Sequence, residues 1–570
     1  MVITAITWIY FFLITVAYGV GTAKFLRSLL RLPDDTILPF SVLGILGLNA
    51  ITWLSSLLSL FLKMGWLAHL LILIGALFFV QQNAREIKVS FRAELRQKHW
   101  IYWGMLLLAG ITTVLYAVKT PSNPDTLLYH AQAIHWIEDF PAVPGLANLD
   151  PRLGSNSNWF VVNAFFSLSF LKLQSFHLVP SFLFLICLTY FFDGLQNILD
   201  GDVRLSQIVK AGFIPFAFYV LIDEISSPGT DLPVILFYWV ILCLWIEMIE
   251  GNQTSRLLEI VVFVLSISVI TYKVSGLLLL LIGFWILIKL VRQRDYRQLW
   301  ICIGIAATLL LPWLIRNFVL SGYWLYPEPQ IAFFSPNVDW KVPVARVRSF
   351  KEGIQAWGIS PGLKWPDIVV LSLRDRLDIW SAHLTISQKM MLILSLISPI
   401  LFWFFFFRPS STNKGGTLSS YWLVIFTAFL NLLFWLLTAP NFRFGYGFVI
   451  GLILPGLAAF VKFMFENLKG YRSYLIIGLI LVLSVQQVSV ILEAGRDGTH
   501  YIDYLFMPAP YPHVPSDACK IGDQTILCAR NWRQCGYDAF PCVPQAPKNV
   551  EMRSDIIRDG FHWIPSSNGN

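Results

Sequence analysis

Apolar runs of roughly 18 to 20 residues recur along the chain, separated by short polar segments that carry most of its charge. Residues 277–288 and 475–485 are almost continuously apolar rather than alternating, which marks buried helices and not the period-two strands of a membrane barrel. A hydrocarbon layer about 30 Å thick needs roughly 20 such residues per helix, and a helix satisfies its own backbone hydrogen bonds there. The pattern predicts an all-α polytopic membrane protein of about 14 transmembrane helices. The first run, residues 2–22, has no basic stretch before it and no small-residue cleavage site after it, so it reads as a retained helix rather than a signal peptide.

Basic clusters set the expected orientation. Lys24, Arg27 and Arg31 follow the first helix, and Arg85, Lys88, Arg92, Arg96 and Lys98 follow the third, which places both connections in the cytoplasm. Further clusters at Lys289, Arg292, Arg294 and Arg297, at Arg408 and Lys414, and at Lys462, Lys469 and Arg472 belong to the same side if residues 159–192 cross only once. That single crossing requires the first half of the segment to be tilted, broken or interfacial. Both termini then lie outside. The expected division is 1–118, N-terminal helices; 119–158, a first outer loop; 159–315, central helices; 316–388, a second outer loop; 389–492, C-terminal helices; and 493–570, an outer tail.

Composition agrees with lipid as the main solvent. Of 570 residues, 56% are hydrophobic and only 13% charged, about half the charge of soluble domains. The net charge of +8 sits in the short clusters between apolar runs, so it reports orientation and gives no reason to expect a nucleic-acid partner. No Walker loop, dinucleotide fingerprint or H-E-x-x-H site is present.

Cys187, Cys243 and Cys302 lie in apolar runs, whereas Cys519, Cys528, Cys535 and Cys542 cluster in the tail. An even set in a segment expected outside reads as two disulfides, with Cys535–Cys542 the most easily closed pair. Zinc is the rival reading, but the spacing contains no C-x-x-C pair.

Several polar residues converge on the expected outer face. Asp125, Tyr129, His130 and His135 lie in the first outer loop, where a helix would put Asp125, Tyr129 and Trp136 near one face. Asp231 follows Asp223, Glu224, Ser227 and Pro228, and Lys273 stands alone between apolar runs. Arg316 with Asn317, and Arg443, each sit beside aromatic residues against the positive-inside trend. A carboxylate near cationic donors suits a lipid-phosphate-dependent transferase: the carboxylate takes a proton, and the cations stabilise the leaving phosphate. Helix capping by Asp125 or Asp231, and a structural ion pair for either arginine, are the competing accounts.

At these positions the chain resembles the multi-spanning glycosyltransferases of the GT-C fold, a broad group that includes protein mannosyltransferases, aminoarabinose transferases and uncharacterised bacterial members. Pro124-Asp125, Tyr129-His130 and His135-Trp136 look like the first-loop segment of bacterial members, in which the Asp is catalytic. Ser227-Pro228 with Asp231, Lys273, Pro312-Trp313 through Arg316-Asn317, Tyr326-Pro327, and Pro440 with Arg443 follow in matching order. The tail around Cys535 and Cys542 resembles an uncharacterised bacterial membrane-protein branch. The chain departs from better-known members by three additional helices before the first acidic loop and by lacking an adjacent acidic pair at Asp125.

The resemblance implies a GT-C-like helix bundle in a bacterial inner membrane with both termini periplasmic. It also implies transfer of a sugar from a polyprenyl-phosphate donor to an envelope glycan or lipid acceptor, with no cofactor and no metal. Asp125 would be the catalytic base; Tyr129, His130, His135, Asp231, Lys273, Arg316, Asn317 and Arg443 would bind substrate. A lipid-linked sugar flippase and an O-antigen-like polymerase are the alternatives. A transporter would be expected to show pseudo-repeated halves with interrupted midplane helices, which the sequence does not display.

Overall fold

A computed structural model describes residues 1–32, 38–96, 98–251, 255–406, 418–521, 524–530, 534–547 and 549–564. The chain is an all-α polytopic membrane protein with a small, disulfide-bearing C-terminal tail. Among the described residues, twelve helices are long and apolar enough to cross a membrane, from Val2–Leu30 to Arg472–Arg496. Two shorter helices, Leu205–Val220 and Arg256–Tyr272, are packed between long neighbours.

The segment around residues 159–192 holds one long helix, Val179–Leu199, which has Pro180 in its first turn, where its missing N–H costs nothing. The preceding apolar stretch forms only the nine-residue helix Asn158–Phe166, about 14 Å long and too short to span. Further on, Lys273 adopts extended backbone between Arg256–Tyr272 and the 3₁₀ turn Val274–Leu279, so residues 256–292 form two helices rather than one.

At the bundle centre, the Asp231–Glu250 helix is buried almost throughout, while Tyr296–Ser321 and Arg472–Arg496 expose most of their apolar surface at the periphery. Close backbone approach holds the first two helices together. A Cβ on Gly19 would lie 1.9 Å from Leu43 O, and one on Gly47 would lie 1.7 Å from Thr15 O, so both positions require glycine.

Connections sort to two ends. At one end the N-terminal amine donates to Tyr504 O (2.6 Å), and Ala509 N donates to Val118 O (2.8 Å), which ties the start of the tail to the first loop. At the other, Arg297 Nη2 donates to Leu29 O (3.4 Å) and Arg472 Nη2 to Gly201 O (3.0 Å). Arg408 and Lys414 lie outside the described residues.

Helix ends move three site residues from their expected places. The Tyr296–Ser321 helix continues past Pro312 to a C-cap at Gly322, whose φ of 80° is left-handed. Arg316 and Asn317 therefore lie in its last turns rather than opening the second loop. Similarly, Arg443 is in the first turn of Phe442–Asn467, where Asn441 caps the helix.

The tail carries a hairpin, β1 (Ser516–Ile521) against β2 (Gln524–Ala529), with β3 (Cys542–Val543) parallel to β2, and a separate pair, β4 (Val550–Met552) and β5 (Phe561–Trp563). Two disulfides, Cys519–Cys528 and Cys535–Cys542, close it as expected. Its apolar side chains, Ile526, Val543 and Phe561 among them, share one buried cluster with Trp136, Val143 and Leu149 of the first loop. The tail is thus docked on that loop, which fixes the ground beneath the acidic segment.

Candidate functional site

The first loop reaches Asp125 through Asn123 and Pro124. Asn123 donates its backbone N–H to Ser227 Oγ (3.0 Å) and its amide to Glu224 Oε2 (2.8 Å). Its Oδ1 accepts from Asp125 N (2.9 Å) and from Arg443 Nη1 (3.2 Å). One side chain therefore ties the acidic segment to the 222–227 turn and to the Phe442–Asn467 helix.

Asp125 does not cap a helix: its side chain makes no cap bond to the short π-helical turn Thr126–His130. Its carboxylate instead accepts from Arg443 Nη2 at 2.5 Å. Asp231, the first residue of its helix, pairs with Lys273, and Arg443 Nε lies 3.4 Å from its other oxygen, in charge contact but without hydrogen-bond alignment. Aromatic faces line the cations, with Lys273 Nζ 3.8 Å from the Phe444 ring centre and the Arg443 guanidinium 5.8 Å from that of Trp357. The side chains of Asp125, Lys273 and Arg443 are each about a quarter exposed (24%, 26% and 22%), so the cluster remains open to a ligand.

Electrostatics follow from this geometry. Burial alone would raise the Asp125 pKa, but His130, the Arg443 guanidinium and Lys273 reverse the sign and hold it below the ordinary carboxylate value. Stability gained from the ionised carboxylate is present above its unfolded pKa and is lost as pH falls through the lower folded one. Glu224 is pushed the other way, chiefly by burial, against its bond from Asn123. His130 is buried beside Phe160, and desolvation lowers its pKa to about 4, leaving it neutral at physiological pH.

Gly229 crosses this group closely. A Cβ there would sit 3.2 Å from Asn123 Nδ2 and 3.7 Å from Glu224 Oε2. Gly229→Ala is expected to displace Asn123 slightly and destabilise the protein by about 1 kcal/mol, a fall in Tm of only about 1 °C in a chain of this length; thermal unfolding of the purified protein would show it.

The expected site residues separate into three groups. Asp125, Asp231, Lys273 and Arg443 converge, and Tyr129 and His130 pack beside them, 4.4 Å apart in an edge arrangement. His135 faces the tail instead: its ring stacks on Phe540 at 3.9 Å and on Tyr537 at 4.4 Å. Trp136 also turns to the tail, against Phe540 and Phe561, so it does not share a face with Asp125. The wider π-helical turn before Ala131 breaks the simple helical spacing. Arg316 joins neither group; its Nη1 donates to Ser59 Oγ (3.0 Å). Asn317 is buried beside it in the chain, with its amide atoms unbonded among the described residues.

Asn123, Trp357 and Phe444 are members that residue spacing did not single out. An Asn preceding Pro124-Asp125 is a turn signal that could have drawn attention to the first of them. Among the described residues, no three His, Cys, Asp or Glu side chains form a metal-ligating group.

No curated protein and no solved structure matches the chain. A family model described as a domain of unknown function, DUF8201, matches residues 1–450, a span that contains every member of the Asp125 cluster, and the chain belongs to that family.

Proposed function

We propose that the protein is a membrane glycosyltransferase that moves a sugar from a polyprenyl-phosphate donor to an envelope glycan or lipid acceptor at the loop-bearing end of the bundle. The observation that carries this reading is the joint placement of Asp125, Lys273 and Arg443 in one open, aromatic-lined cluster at that end. Two carboxylates, Asp125 and Asp231, face two cations, so each cation is balanced by a carboxylate at rest, with Glu224 held to one side by Asn123.

The chemistry uses that balance. As the acceptor oxygen bonds to the anomeric carbon, the bond from that carbon to the phosphate oxygen breaks and its electron pair leaves with the phosphate. The acceptor's proton passes to Asp125, which loses its charge in the step in which the phosphate gains one. Arg443 then has less call from Asp125 and more from the leaving group, and its planar donors suit phosphate oxygens. Lys273 adds a point charge. Asp231 holds both cations in place, and Asn123 sets the separation of Asp125 from Arg443.

Transfer of radiolabelled sugar from a synthetic polyprenyl-phosphate donor by the purified chain in vesicles tests the reading. Movement of intact donor across the bilayer without transfer would favour the flippase alternative. The proposed setting is a bacterial inner membrane with the loop-bearing end periplasmic. Single cysteines at Arg92 and Arg294 are expected to resist an impermeant reagent applied outside, while ones at Ser122 and Asp538 react. Labelling of Arg92 and Ser122 positions from one side would contradict that orientation.

A further inference from the structure

The second loop ends in two short helices, Trp365–Val369 and Leu373–Ala382. Val369, Val370, Leu373 and Leu377 are exposed there, Val370 by 79% and Leu373 by 72%. Four large aliphatic side chains exposed within nine residues exceed the single, scattered hydrophobics of an ordinary wetted loop. Leu373, Leu377 and Trp380 follow at i, i+4 and i+7, one apolar stripe along the second helix.

That stripe is held in place. Trp380 Nε1 donates to Pro440 O (2.6 Å) and its ring meets Trp435 edge-on, so one end of the stripe is anchored on the turn that leads to Arg443. At the other end, Arg376 donates to Leu371 O (3.1 Å) and Val369 O (2.8 Å), which ties the two helices together. Charge in the segment is closed on itself. Between Lys364 and Asp378, the cations Lys364, Arg374 and Arg376 are matched by Asp367, Asp375 and Asp378. Asp375 accepts from Ser372 Oγ (2.7 Å), Asp367 accepts from Lys364 N (3.2 Å), and Arg374 faces Asp378 one turn on. No unopposed charge selects an ionic partner, and what remains to be covered is apolar.

The neighbouring element identifies the cover. Thr385 caps the next helix, Ile386–Phe406, by accepting from Gln388 N (3.2 Å), and that helix is long and apolar enough to span. Its exposed side chains Ile386, Met390, Ile393, Ile397 and Ile400 recur every three or four residues, a stripe that faces lipid. The patch therefore lies just before the chain enters the bilayer, and its surface leads into the lipid-facing one.

We propose that Val369, Val370, Leu373 and Leu377 are immersed in the leaflet at the loop-bearing end, about 5 to 10 Å into the boundary between headgroups and acyl chains, in the manner of interfacial amphipathic helices. Through Trp380 this seat holds the turn before Arg443 at membrane level. Immersion needs only the membrane-spanning bundle; a part in admitting a lipid-borne donor rests on the glycosyl-transfer reading.

Fluorophores on single cysteines introduced at Val370, Leu373 or Ile397, in the full chain in phosphatidylcholine vesicles, test it. The native free cysteines, Cys187, Cys243 and Cys302, are buried and should take no label. Labels at Val370 and Leu373 should be quenched at least about twofold more by a lipid with its nitroxide near the headgroup than by one with it near the methyl end, and Ile397, about 16 Å along its helix, should show the reverse. Quenching of Val370 and Leu373 by aqueous iodide but by neither lipid would overturn the proposal. So would shielding from all three quenchers with cross-linking between copies, which would mark a dimer contact, or lipid quenching that appears only with added phosphatidylglycerol, which would mark an ionic one. Transfer is not read in this experiment, so its failure would leave the chemistry at Asp125 untouched.

Discussion

Asp125→Asn should fold and express normally but lower sugar transfer about a hundredfold or more, the usual scale for losing a general base. Asn is nearly isosteric with Asp and its amide oxygen can still accept from Arg443 Nη2, now 2.5 Å from the carboxylate, so packing changes little. What it cannot do is take the acceptor's proton. Arg443→Lys is the companion variant: it keeps the charge but loses the fork that reaches Asp125, Asn123 and the edge of Asp231 together. Its expected signature is a raised KM for the donor with a smaller change in kcat. Transfer by Asp125→Asn at the unaltered rate would remove Asp125 from the chemistry.

The second large effect is expected at the tail. Cys535 N and Gly536 N both donate to Leu127 O, at 2.9 and 3.0 Å, two residues past Asp125. Gln132 Nε2 donates to Gly536 O (3.0 Å) and Ala539 O (2.7 Å), and its Oε1 accepts from Cys542 N (3.1 Å). The loop closed by Cys535–Cys542 thus clasps the helix that follows Asp125. Removing a bridge across so short a loop costs about 2 kcal/mol in chain entropy, or about thirtyfold in local opening. Replacing Cys535 and Cys542 with Ser should therefore speed amide exchange of residues 126–132 by about that factor. Replacing Cys519 and Cys528 should leave those amides unchanged, since that bridge only staples the β1–β2 hairpin. Equal effects from the two pairs would show that the clasp does not depend on its own disulfide.

The helical framework was legible because membrane helices announce themselves locally, by composition over a window. The short Asn158–Phe166 helix shows where that signal thins: its residues are as apolar as a span, and only length separates it from one. Partners are harder. Arg316 and Arg443 carry the same local signature, an arginine among aromatic residues near a loop, yet one meets a serine hydroxyl and the other two carboxylates. Their partners lie 257 and 318 residues away along the chain, so bundle packing decides the outcome and no window contains it. Asp125 presents the same lesson, since a residue at a helix start is equally placed to cap or to pair. The tail disulfides were readable because both bridges are short-range.

The most direct measurement is a structure of the protein with a non-hydrolysable polyprenyl-phosphate sugar in a lipid nanodisc. The phosphate is expected between Lys273 and Arg443, within hydrogen-bond reach of both, with the anomeric carbon facing Asp125 and the lipid leaving the bundle sideways. A phosphate bound away from this cluster, or a donor threaded through a continuous path between the two ends of the bundle, would contradict it.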